Sequence, residues 1–139
     1  MATMLAHIRI KAGCEAAYED IQSWLHQQTH NHELSIGRYE FFREQTQGEY
    51  YGLLSFDDFN GFIHHQCSDY HETFVGKFSE LVEASTFTWI DPLPNASTLT
   101  PTKTQALPED ASETARKYEK MLDVKEPTWW GEQLGGNDS

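Results

Sequence analysis

The stretch HHQCSDYH, positions 64 to 71, places three histidines, a thiol and an acid in eight consecutive residues. Imidazole changes charge near neutral pH, so such a cluster can act as a general base, a hydrogen-bond donor or a metal ligand. On a helix, His65 and Ser68 are i,i+3 neighbours, and Phe62 lies one step earlier on the same face. His71 extends that row only if the helix runs through Ser68-Asp69. His64 is turned about 100° from His65 and is expected in solvent. The residues leave two roles open. Either His65 projects into a pocket as a base or donor to a phenolic oxygen, with His71 beside it, or His65 ties down backbone at a helix bend and His71 is a surface residue or cap.

Metal chemistry is the competing use of histidine. His26 and His30 are i,i+4, and His32 and Glu33 follow. A metal site needs three or four converging ligands, whereas this spacing secures only two. The segment HQQTHNHE is polar all round, which turns its histidines toward water. The context of Cys67, which could join His64 or His71, does not favour thiolate ligation. No metal is therefore assigned. A phosphate-cradling glycine loop, a nucleophile elbow and a paired-carboxylate motif are all lacking, so no nucleotide cofactor has a docking place.

The elements around the cluster suit one compact domain with an appendage, given 139 residues. The net charge of −12 repels phosphate backbones and anionic lipid heads, which argues against nucleic acid and membrane partners. The opening apolar run in MATMLAHIRIK is too short for a signal peptide or a spanning helix, and a cytoplasmic location is expected. Cys14 and Cys67 are read as reduced thiols.

Met4 to Lys11 alternates as a half-buried strand. From Glu15 to about Gln28, Ala17, Ile21, Trp24 and Leu25 form the inward stripe of a helix, and THNHELS is a polar loop. Ile36 to Glu44 and Glu49 to Phe56 are strands of a hairpin turned at Gln47-Gly48. Two short helices follow, with Asp57-Asp58 and Ser68-Asp69 as candidate caps, and Ala84 to Ile90 is a last strand. The order β-α-β-β-α-β is that of a ferredoxin-like α+β domain, one sheet face covered by helices and the other bare. A bare face must be covered, so homodimerisation is expected. Residues 1–93 form this domain, and residues 94–139 are a proline-rich arm, a short helix and a WWGE tail. Two adjacent tryptophans bury large areas, so the tail is expected to pack on the domain or a partner subunit. Trp24, Tyr39, Phe62 and Trp89 are the aromatics chosen to line a flat apolar pocket.

The segments AHIRIKAGCEAAYEDI, ELSIGRYEFFRE, YYGLLSFDDFNGFIHHQCSDYHETF and TFTWIDP, taken in order, resemble the antibiotic biosynthesis monooxygenase domains. Phe62, His65, Ser68 and His71 fall at the three-residue steps of that family's aromatic-His-Ser-His pattern. The resemblance covers residues 3 to about 92. It implies a dimeric α+β barrel with a pocket in each subunit that binds a small aromatic or hydrophobic ligand. It also implies oxidation of a quinol-like or polyketide-like aromatic by molecular oxygen without metal or flavin; the choice of His65 and His71 as catalytic comes from their spacing here. Haem-degrading relatives carry Trp where His65 falls and His where this chain has Val75, which argues against haem chemistry. The alternative, from another class, is a noncatalytic dimeric barrel that binds a hydrophobic ligand or a protein, with the WWGE arm as a clasp.

Overall fold

A computed structural model describes residues 1–131. Strand β1 (Ala2–Ile10) leads to helix α1 (Glu15–His32), the hairpin β2 (Ile36–Arg43) and β3 (Glu49–Phe56), helices α2 (Phe59–Gln66) and α3 (Asp69–Leu81), and strand β4 (Val82–Ile90). The strands form one antiparallel sheet in the order β2-β3-β1-β4, the ferredoxin-like arrangement. Gly48, at φ 88° where a side chain would be strained, closes the hairpin.

The alternation of β1 decides which sheet face is buried. Met4, Ala6, Ile8 and Ile10 point into the core with Leu54 and Phe56 of β3 and with Phe59, Phe62 and Phe74 of the helices. Leu5, His7 and Arg9 point the other way, onto a face that no element covers among the described residues, where Leu5 and Phe42 are 37% and 51% exposed. On the inner face, Gly52 of β3 lets the Phe41 ring lie across the neighbouring strand, because a Cβ there would sit 2.5 Å from Phe41 Cε1.

Helix α1 departs from the expectation in two linked ways. It continues through THNH, four residues past Gln28, and its buried face is Tyr18, Gln22, Leu25 and Thr29, while Ala17 is exposed and Ile21 and Trp24 are half-buried. The inward stripe carries polar groups, so a hydrophobicity pattern both misplaces it and ends the helix early. Strand β4 also starts earlier, at Val82.

Beyond Ile90 the arm returns along the sheet. Thr102 is buried, its hydroxyl donating to Ile90 O (2.6 Å) and accepting from Thr3 N (3.2 Å). Gln105 Oε1 accepts from Asn60 N (2.7 Å), which brings the chain to the start of α2. Helix α4 (Glu113–Leu122), capped by the Ser112 hydroxyl, then packs on α2, and a short 3-10 turn (Thr128–Gly131) follows. The arm thus packs on its own domain. Trp129 is 54% exposed in the single chain, where the expectation is packing on the domain or on a partner subunit, and the end of the WWGE motif lies outside the described residues.

Candidate functional site

A cavity of about 310 Å³ lies between the inner sheet face and the helices. Met4, Ala6, Leu54 and Phe87 line it from the sheet, Leu25, Phe62 and Phe74 from the helices, and Lys117, Tyr118, Met121 and Leu122 of α4 from the far side. Besides Lys117 and the tyrosines, the polar side chains in this largely apolar wall are Gln22, His65, Gln66 and His71.

His65 owes its direction to α2. Asp58 caps the helix, Oδ1 accepting from Gly61 N at 2.7 Å, and the inward face then reads Phe59, Phe62, Ile63, His65, Gln66. The His65 ring is 1% exposed, with Tyr39 edge-on at 5.1 Å and Phe56 at 5.4 Å between centroids. Its Nδ1 meets Glu33 Oε2 at 2.8 Å, and both side chains are buried. The Tyr70 hydroxyl donates to the same carboxylate oxygen, while Glu33 Oε1 has no partner among the described residues. A carboxylate only accepts, so Nδ1 carries the proton and Nε2 is the ring nitrogen left to the cavity. Burial, then the Glu33 contact, holds the Tyr70 hydroxyl protonated well above the usual tyrosine range.

His71 is set by the bend between α2 and α3. Ser68 caps α3, its hydroxyl accepting from His71 N at 3.2 Å and donating to His65 O at 2.7 Å, so one side chain ties both histidines. His71 is buried, not a surface residue, and its ring stands edge-on to His65 at 5.1 Å and to Tyr118 at 5.9 Å. Its Nδ1 has no hydrogen-bond partner among the described residues; Glu72 Oε1, at 4.0 Å, is instead engaged by the Tyr118 hydroxyl at 2.6 Å. Burial first, then the neighbouring His65, lowers the His71 pKa to about 3, so the ring is neutral at physiological pH.

The structure thus brings His65, His71, Tyr39 and Phe62 to one cavity. It does not bring Trp24 or Trp89 there. Trp24 is half-buried on α1, and Trp89 lies behind Phe62 (4.9 Å between rings), donating Nε1 to Leu122 O at 2.8 Å. Sequence reasoning missed Tyr70, Gln22 and Tyr118 at the site, and weighed Glu33 only as a metal ligand, not as the partner of His65. The i,i+4 steps from Tyr18 to Gln22 and from Leu25 to Thr29 and Glu33 were the available signal, obscured because the row is half polar.

Among the described residues, the histidines of α1 assemble no ligand set with Glu33, whose carboxylate turns inward to His65. His7, Glu44 and Glu49 do offer ligand atoms within 4.8 Å of one another on the bare face, yet Glu49 already holds Arg9 (2.7 Å) and His7 (2.8 Å). A second hollow, of about 390 Å³ between α1 and β2, contains Glu19, which Arg43 (2.9 Å) and then Tyr50 (2.7 Å) hold down at a pKa of about 2. Its hydrogen bonds are internal, and the unpartnered Nδ1 of His71 belongs to the first cavity.

No family model and no curated protein matches the sequence. Solved structures do. A Caulobacter crescentus protein named provisionally as an antibiotic biosynthesis monooxygenase superimposes with a TM-score of 0.63 at 18% identity, over 67% of this chain and 90% of its own. A structure described as an antibiotic biosynthesis monooxygenase gives 0.63 at 18%, over 68% and 100%. A Mycobacterium tuberculosis protein gives 0.63 at 16%, over 69% and 98%. The chain has the antibiotic biosynthesis monooxygenase fold. About two thirds of this chain accounts for nearly all of each neighbour. The unit from β1 to β4 ends at Ile90; the arm and α4 lie beyond it.

Proposed function

We propose that the protein is a cofactor-independent monooxygenase of the antibiotic biosynthesis monooxygenase type, oxidising a quinol-like or polyketide-like aromatic within the cavity. One observation carries this reading: His65 lines an apolar cavity with Nδ1 held by the buried Glu33, leaving Nε2 to act as a base. Nε2 takes the proton of a substrate hydroxyl or of an acidic ring methylene. Glu33 stabilises the imidazolium that forms, as a carboxylate does behind a catalytic histidine. The resulting anion, shielded from water, passes an electron to molecular oxygen, and the two radicals combine to a peroxide. The peroxide anion takes the proton back from His65 to become a hydroperoxide, whose O–O bond then breaks with loss of hydroxide from the distal oxygen while the C–H proton at the same carbon is lost to it, leaving a carbonyl and one water. One O₂ thus converts one methylene to one carbonyl plus H₂O, and the substrate supplies the electrons.

The uncovered sheet face supports a second part of the reading, that two copies pair through it as a homodimer.

Oxygen uptake by metal-stripped protein with hydroquinones and anthrones tests the activity, with His65→Ala beside the wild type. Turnover that survives chelation and falls about 10²- to 10⁴-fold in the variant, the usual worth of a general base, supports it. Aromatic binding with no oxygen uptake on any substrate would replace it with a ligand-binding barrel.

A further inference from the structure

We infer that helix α4 is the specificity-determining wall of this cavity, and that Met121 sets the size of ring system admitted. The inference rests on the cavity taking a flat aromatic, as proposed above. Helix α4 lies beyond the βαββαβ unit, yet it supplies Lys117, Tyr118, Met121 and Leu122 to the lining. Two hydrogen bonds fasten it: Trp89 Nε1 donates to Leu122 O at 2.8 Å, and the Tyr118 hydroxyl donates to Glu72 at 2.6 Å. Tyr118 also sets its ring edge against His71.

These contacts fix Tyr118 and Leu122 and leave Met121 as the adjustable part. Met121 is 61% exposed and shares the cavity lining with two other exposed apolar side chains, Val75 at 36% and Phe87 at 41%. Exposed residues that also line a cavity mark its mouth, so the three form an apolar rim. A thioether with three rotatable bonds adapts to what passes it. The enclosed volume, about 310 Å³, is near the lower end for small-molecule sites, so a change of side chain at the rim alters what fits.

The test is binding of 1-naphthol, anthrone and simple hydroquinone to full-length protein by calorimetry, comparing wild type with Met121→Trp and Met121→Ala. A bulkier rim should weaken anthrone at least tenfold while leaving hydroquinone within twofold; the smaller rim should move the anthrone-to-hydroquinone ratio the other way. Met121 is exposed, so both variants should keep the wild-type circular dichroism and melting temperature. Ratios unchanged within twofold in both variants overturn the inference, even if oxygen uptake is intact. Shifted ratios without oxygen uptake leave it standing and remove the oxygenase reading. Failure of the wild type to bind any of the three removes both.

Discussion

The Glu33–His65–Tyr70 contact concentrates the chemistry of the proposed site in a few atoms. A buried carboxylate is costly unless paired, and Glu33 is paired through a single oxygen. Replacing it with the isosteric amide keeps the volume but removes the charge that stabilises the imidazolium. Glu33→Gln should therefore lower kcat about 10- to 10²-fold and change KM little, because the lost interaction belongs to the transition state. Equal effects on a variant's melting curve and KM would instead indicate a structural tether. His71 gives a prediction of a different kind. Its native pKa is lowered to about 3 from 6.5, so between those values the unfolded chain binds the extra proton and the native chain does not. Stability due to this group is complete above pH 6.5 and declines as pH falls toward 3, by up to about 1.4 kcal/mol per pH unit. Glu19, lowered to about 2 from 4.5, adds its own loss only below 4.5. Denaturant midpoints taken from pH 6.5 to 5 should thus fall in wild type and fall less steeply in His71→Asn; parallel slopes would remove His71 from the account.

At the scale of elements, the bend between α2 and α3 joins the two histidines. Ser68 caps α3 and also holds the His65 carbonyl, so Ser68→Ala should cost about 1 kcal/mol of stability, the usual worth of an N-cap. It should also loosen the angle between the histidines, lowering turnover more than an equally destabilising cap change at Ser112; equal effects of the two substitutions would deny the bend a special role. The bend itself was legible, because Asp58 and Ser68 are strong caps ahead of apolar spacing, and the hairpin was legible from Gln47-Gly48. The face of α1 was not. Periodicity finds the side that hydrophobicity favours, whereas this helix buries Gln22 and Thr29 and ends on buried Glu33, all of which read as solvent-facing. Glu33 lies 32 positions from His65, and no local pattern pairs residues so far apart. Trp89 was legible as a large aromatic near the site but not as an anchor of α4, since its partner is a backbone carbonyl.

At the scale of the whole molecule, the remaining question is what covers the outer sheet face. Leu5, on the central strand β1, is paired in register with Leu53 of β3 and Thr88 of β4, and Phe42 of β2 lies opposite Tyr51 of β3. The same face carries His7 and Arg9, each bonded to Glu49, so it is an apolar centre beside a satisfied polar cluster. Among the described residues, the arm runs past the ends of β1 and β4 and on to α2, away from this face. A second copy related by a two-fold axis would bury Leu5 against the same strands of its partner. Leu5→Asp would then place two carboxylates close together at the centre of a desolvated patch, and like charges there cost several kcal/mol. A sedimentation measurement should give twice 16.0 kDa for wild type at micromolar concentration. Leu5→Asp should weaken that association at least tenfold, with circular dichroism unchanged because the residue is already partly exposed in the single chain. A wild-type mass of 16.0 kDa throughout the concentration range would show that the face stays open to water.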